Sequence, residues 1–434
     1  MSYAKLLSSS SPERKNFVYK IDNEMRNNAN ANSDREELSG NEKEYCKEKF
    51  IYEFELDNVT YKLGKPKECN KCELTRYSDR FCEGCISLQL QSLFTTWTSG
   101  NNIIDNFIQQ SQMKSSLPNH ILEWIPFEEF EDITKLTEGG FILKSLNDSS
   151  HPGKSFFDEA MNYSKIKSGL IVSCYGITKF PDNGNYAIVL NYLDGNLRDY
   201  LQKSHLTLKD RVTIFHYLCS ALYQIHEKDL IHCDLHSGNI LVDAGCCYIT
   251  DLGLCGPVDE KSSNKVYGIV SYIAPELLRG NNTNNTKETD IYSVGMLMWE
   301  IFAGHPPFNN RAHNHCLIFD ICAEGLRPPI LPGMPADYPQ MMQRCWDVDP
   351  SKRPTSEELW TFAKNKYDEI IKNNDNDNDN TTTSGCSGDS QQVYKSHPDA
   401  YHTSRILDED IAKFKSLKIT SNSSLNNLDC DSFF

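Results

Sequence analysis

The chain has 434 residues, 39% of them hydrophobic, with a formal net charge of −16. That is material for one large domain or two modest ones, plus polar flanks that bury no core. The negative charge argues against a dedicated nucleic-acid binder and against attraction to an anionic membrane, and no apolar run approaches the roughly 20 residues of a spanning helix.

In chain order, residues 1–45 are rich in Asn, Glu, Ser and Lys and are expected to be disordered. The start has no apolar stretch before Pro12, and Ser2 stands where myristoylation needs glycine. A cytoplasmic chain is expected, with the nucleus left open. Its 16 cysteines should then be reduced thiols or metal ligands rather than disulfides. Residues 46–86 hold two knuckles, Cys69-Asn-Lys-Cys72 and Cys82-Glu-Gly-Cys85, separated by nine residues. Four thiolates so spaced can converge on a tetrahedral structural Zn²⁺. Unliganded thiols and a redox pair are the alternatives. Residues 87–123 are expected to be a helical connector, with Ile103, Ile104, Phe107 and Ile108 at near-helical spacing.

Residues 124–372 form the dense globular region. Strand-like segments come first, at 133–136, 141–146, 172–178 and 186–191. Helical patterns follow. Val212, Phe215, Cys219, Leu222 and Ile225 line one helix face. Residues 291–302 are apolar almost all round, which predicts a buried helix capped by Asp290 and stopped at Gly304-His-Pro-Pro. The class is α+β, a small β-rich part before a larger helical one. Residues 373–434 read as an Asn/Asp-rich linker and a disordered tail, with at most a short helix near 407–417.

The chemistry concentrates in Ile231-His-Cys-Asp-Leu-His-Ser-Gly-Asn-Ile-Leu241, Asp251-Leu-Gly253 and Ala274-Pro-Glu276. In order and spacing these resemble the protein kinase signatures H-R-D-x-x-x-x-N, D-F-G and A-P-E. Asp290-Ile-Tyr-Ser-Val-Gly295 and Cys345-Trp-Asp-Val-Asp-Pro-Ser-Lys-Arg-Pro354 extend the likeness, the latter toward tyrosine-kinase-like kinases. The resemblance implies a two-lobed protein kinase fold over 124–372, with ATP and Mg²⁺ as nucleotide and cation and protein hydroxyls as substrates. It implies Asp234 as base for the acceptor hydroxyl. Asn239 and Asp251 become the Mg²⁺ ligands, oxygen donors as that ion prefers. Lys144, with Glu159 as ion-pair partner, would hold the phosphates, Gly139 and Gly140 would begin the loop over them, and the backbone near Asn191 and Tyr192 would meet adenine. Glu276 and Arg353 would tie the activation segment to the large lobe. The cysteine knuckles, Trp97-Thr-Ser-Gly100 and the kinase-like region together resemble a group of kinase-like proteins expanded in some fungi.

The sequence departs from the family in places. Leu136-Thr-Glu-Gly-Gly-Phe141 runs straight into Ile142-Leu-Lys144, so the small lobe lacks the third glycine and a strand of the Gly-rich hairpin. Cys233 replaces the arginine that reads an activation-segment phosphate, so Ser262, Ser263 or Tyr267 would lose the usual receptor. His236 replaces a phosphate-contacting lysine, Ile269 a threonine, and Leu252 the usual phenylalanine. Three readings stand side by side: an active kinase, a pseudokinase scaffold, and a zinc-ribbon adaptor. Serine/threonine against tyrosine specificity and oligomeric state stay open.

Overall fold

The structure of the chain, a computed structural model, describes residues 67–71, 73, 75–76, 83–114, 121–130, 141–145, 153–166, 168–193, 195–203, 206–243, 245–257, 265–280, 284–376 and 396–421. The disorder expected for 1–45, the strand at 133–136, Gly139, Gly140, Cys72, Cys82, Ser262 and Ser263 lie outside these residues. The chain forms two units, Met1–Leu193 and Asp194–Phe434.

The first unit opens with paired strands β1 (Lys67–Glu68) and β2 (Thr75–Arg76), then helices α1 (Glu83–Leu93) and α2 (Asn102–Lys114). The Asp105 carboxylate accepts from Ser99 N–H at 2.8 Å and from the Thr98 hydroxyl at 2.5 Å. Trp97-Thr-Ser-Gly100 is therefore the entry to α2. Ile104 and Ile108, one turn apart, are fully buried, whereas Ile103 is 65% exposed. A four-stranded sheet follows in the order β3 (Glu123–Trp124), β5 (Cys174–Lys179), β6 (Tyr186–Asn191), β4 (Phe141–Ser145), with helix α3 (Lys154–Lys165) between β4 and β5 in the chain. Gly176 sits at a register shift, φ +157°, where a Cβ would lie 1.9 Å from Glu123 O. Only glycine lets the parallel strand β3 approach there.

The second unit is mainly helical. It runs through α4 (Leu197–Lys203), α5 (Leu208–His226), β7 (Leu230–Ile231), β8 (Ile240–Asp243), β9 (Cys246–Ile249), β10 (Gly256–Pro257), β11 (Tyr267–Gly268), α6 (Pro275–Leu278), α7 (Lys287–Ala303), α8 (His315–Cys322), α9 (Tyr338–Cys345), α10 (Ser356–Asn376), β12 (Arg405–Ile406) and α11 (Asp408–Ser421). Thr207 and Asp210 close a capping box on α5, which buries the whole predicted stripe from Val212 to Ile225. Helix α7 is buried nearly all round from Thr289 to Ile301 and ends at Gly304 with φ +80°.

Two expectations need correction. Asp290 does not cap α7. The helix starts earlier, with Thr286 as its cap, and the 1%-exposed Asp290 accepts from the backbone at His232 and Cys233 instead. The tail is not disordered over 396–421. Leu407, Ile411 and Phe414 are buried, with Phe414 edge-on to Phe319 at 6.4 Å, so α11 packs an apolar stripe on α8. The polar composition around this stripe hid a partner it finds only in the folded lobe.

Candidate active site

In the first unit, alternation along β4 presents Lys144 on the sheet while α3 carries Glu159. Their side chains meet at 2.6 Å, and the Glu159 side chain is fully buried. A buried carboxylate needs such a cation, since desolvation without a partner costs several kcal/mol. At the end of β6 the Asn191 N–H donates to Ser173 O at 2.9 Å, and its side-chain oxygen receives the Tyr175 hydroxyl at 3.3 Å. The Asn191 N–H is thus engaged within the sheet. Tyr192 follows directly, outside the strand.

In the second unit a web of hydrogen bonds fixes the loop from His232 to Asn239, the candidate catalytic loop. The Asp290 carboxylate receives His232 N–H at 2.8 Å and Cys233 N–H at 3.0 Å, and lies 3.0 Å from His226 Nε2. The fully buried His232 has Nε2 3.0 Å from Thr250 O, while its Nδ1 accepts Asp234 N–H at 3.3 Å. With Nδ1 accepting, Nε2 carries the proton, and the ring links the catalytic loop to the residue before Asp251. Asn239 Nδ2 donates to Asp234 O at 2.9 Å and lies 3.4 Å from Asp234 Oδ2. Its amide nitrogen is used inside the loop, which leaves the carbonyl oxygen as the group it can offer a cation. Thr250 N–H donates to Asn239 O at 3.0 Å, tying the Asp251 turn to the same loop. Cys233 and Asp251 both have positive φ, +72° and +61°. Such strained backbone in non-glycine residues gathers at functional sites.

His236 Nδ1 accepts Gly238 N–H at 3.0 Å, so its Nε2 carries the proton. That nitrogen is 3.7 Å from Asp234 Oδ2 and 2.9 Å from the Ser404 hydroxyl, which in turn donates to Asp234 Oδ1 at 2.9 Å. Burial, then the Asp290 charge, pushes the Cys233 thiol well above its ordinary range, so it stays protonated. The segment carrying Ala274-Pro-Glu276 is held by a two-point ion pair, Arg353 to Glu276 at 2.7 and 2.9 Å, with Arg353 also donating to Glu288 O and Asp347 O.

The structure thus brings Asp234, Asn239 and His236 into one loop, bonds that loop to Thr250 next to Asp251, and separately joins Lys144 to Glu159. Gly139 and Gly140 lie outside the described residues. At the knuckles, Cys69 and Cys85 Sγ are 3.6 Å apart, and Cys72 and Cys82 lie outside. Sequence reasoning missed two contributors. Asp290 read as a cap because an Asp before an apolar run has that meaning locally. Ser404 carried no signal, being a lone serine in a polar tail.

A catalytic loop with its acid and amide locked side by side, an Asp turn bonded to it, and a lysine–glutamate pair on the sheet define the protein kinase class. The family model "Protein tyrosine and serine/threonine kinase" matches residues 131–362, more than half of the chain. The chain belongs to this family. Among relatives, it is 33% identical over 213 residues to human (Homo sapiens) ankyrin repeat and protein kinase domain-containing protein 1, covering 45% of this chain and 27% of that one. It is 27% identical to serine/threonine-protein kinase mos of Patiria pectinifera (52% and 68% covered) and 28% identical to human receptor-interacting serine/threonine-protein kinase 1 (54% and 39% covered). The match thus spans about a quarter of the first of these relatives. Among the described residues no helix is long and apolar enough to cross a membrane.

Proposed function

We propose that the chain transfers the γ-phosphoryl group of ATP to serine or threonine hydroxyls of protein substrates in signalling. Asp234 accepts the hydroxyl proton. Lys144, oriented by Glu159, meets the nucleotide's phosphates, the backbone at Tyr192 offers the adenine contact, and His236 donates beside the acceptor hydroxyl. Asn239 and Asp251 suit a Mg²⁺ ion, because both are hard oxygen donors and the Asn239 amide nitrogen is turned into the loop. The ion supplies charge neutralisation at the phosphates when bound. The observation that carries this reading is the joined set of Asn239, Asp234 and the Asp251 turn, held by hydrogen bonds of 2.9 and 3.0 Å.

Leu136-Thr-Glu-Gly-Gly-Phe141 reads as a shortened phosphate lid, so ATP is held with a high KM. This feature alone favours the scaffold reading, and the complete acid–amide set in the catalytic loop outweighs it. Mg-ATP should raise the melting temperature of the full chain, and Lys144→Met should remove the shift. At 100 times its Kd the nucleotide contributes about 2.7 kcal/mol. An unshifted melt at millimolar Mg-ATP would count against the proposal.

The knuckles are read as a structural zinc site. Two sulfurs on one tetrahedral Zn²⁺ with bonds of about 2.3 Å lie about 3.8 Å apart, and Cys69 and Cys85 stand at 3.6 Å with Lys71 N–H aimed at Cys69 Sγ.

A further inference from the structure

The tail does more than pack. Strand β12 adds antiparallel to β11, with Tyr267 opposite Ile406 and Gly268 opposite Arg405. This is a short main-chain pairing of two residues on each side, next to the loop from His232 to Asn239, and backbone pairing of this kind is a common way for proteins to hold an extended peptide. The Gly268 position is tight: a Cβ there would stand 3.2 Å from Asp234 Oδ1. Arg198 donates to His402 O at 2.8 Å on one side of Ser404, and Arg405 donates to His313 O at 2.9 Å on the other.

Ser404 lies between these anchors with its hydroxyl on Asp234. The proton order is fixed by geometry. His236 Nδ1 is occupied by Gly238 N–H, so Nε2–H donates to Ser404 Oγ, and the Ser404 O–H is left to donate to Asp234 Oδ1. A serine so held directs its proton at the base and keeps an oxygen lone pair for attack. A merely blocking segment would need no hydroxyl at this point. The one-carbon side chain of Ser404 brings its hydroxyl to Asp234 Oδ1 at 2.9 Å.

We propose that Ser404 is a phosphorylation site of this chain's own kinase centre, modified in cis while its tail occupies the protein-substrate groove. The inference rests on the kinase reading above and names its first substrate. Ser404 Oγ bonds to the γ-phosphorus of ATP as the bond from that phosphorus to the β–γ bridging oxygen breaks. The hydroxyl proton passes to Asp234, and the electron pair leaves with ADP. The product carries nearly two negative charges against the Asp234 carboxylate, whose side chain is 9% exposed, so repulsion drives the tail out of the groove. The groove then opens to other substrates.

The test uses the full chain, treated with phosphatase and incubated with Mg-ATP over a range of protein concentrations, with and without an added serine-containing protein. Phosphosites are mapped by tandem mass spectrometry. Ser404 is expected to be phosphorylated at a fractional rate independent of protein concentration and about 10²- to 10⁴-fold more slowly in Asp234→Asn. Transfer to the added protein should accelerate once Ser404 is modified. Phe414→Asp, which unseats α11, should lower Ser404 labelling while keeping or raising transfer to the added protein. Transfer to the added protein with Ser404 unmodified overturns the proposal, as does a Ser404 rate that rises in proportion to concentration. Absence of transfer to both acceptors fails the kinase reading itself and takes this inference with it.

Discussion

At the residue scale, Asp290 and Asp234 separate stability from chemistry. Asp290 is buried and holds two backbone N–H groups of the catalytic loop together with His226. Hydrogen bonds to a charged group contribute about 1.5–3 kcal/mol each, and leaving donors buried without a partner costs more. Asp290→Ala should therefore destabilise by about 3 kcal/mol or more, read as a lower urea midpoint at unchanged slope. Asp234→Asn should change stability by less than about 1 kcal/mol, with the midpoint nearly unmoved, because the position keeps its volume and its backbone bonds. Equal midpoints for both variants would refute the anchoring role of Asp290. Asp234, Asn239 and Asp251 were visible as a motif because two share one short loop and the third opens a turn soon after. Asp290 contacts that loop across 58 residues and Ser404 reaches Asp234 across 170. No local pattern encodes such pairings.

At the element scale, two pairings hold the second unit. The Arg353 guanidinium is fully buried against Glu276, whose side chain keeps 23% exposure. Removing one partner of a buried pair costs about 3–5 kcal/mol, so Arg353→Met should lose about 3 kcal/mol by chemical denaturation. A loss below about 1 kcal/mol would mean the pair is not structural. On α5, His216 stacks on Tyr367 at 4.9 Å, and burial pushes its pKa from 6.5 down to about 4. Above pH 6.5 the ring is neutral in both folded and unfolded chains. As pH falls below 6.5 the unfolded chain takes up the proton and the folded one resists until about 4, so stability is lost across that window. The loss approaches about 3 kcal/mol. His216→Phe keeps the stack and should make the loss of stability between pH 6.5 and 4 shallower, with buried His402 still contributing in that window; an unchanged slope would contradict the assignment. The α5 stripe and the all-round apolar α7 were legible from periodicity. The packed tail was not, because its three anchoring residues sit among polar neighbours and meet their apolar partner only in the folded unit.

At the scale of the whole molecule, the chain combines paired cysteine knuckles, a kinase domain and a tail that pairs with β11 and brings Ser404 to Asp234. The zinc reading predicts one metal per chain by elemental analysis, halved or lost in Cys69→Ser and Cys85→Ser. It also predicts that chelation lowers the melting temperature of the first unit. Metal-free protein with an unchanged melt would remove the zinc. The run of strand-like segments before helical patterns made the α+β class and the order of the parts legible, but partners for the cysteine module depend on surface chemistry that spacing alone does not specify. The central claim is phosphoryl transfer, and its most direct test is the rate at which the full chain moves the γ-phosphoryl of Mg-ATP to an added protein, compared with Asp234→Asn. The account predicts measurable transfer that falls by about 10²- to 10⁴-fold in the variant, the range a positioned base contributes. Equal rates for the two proteins, or no transfer by either, would contradict it.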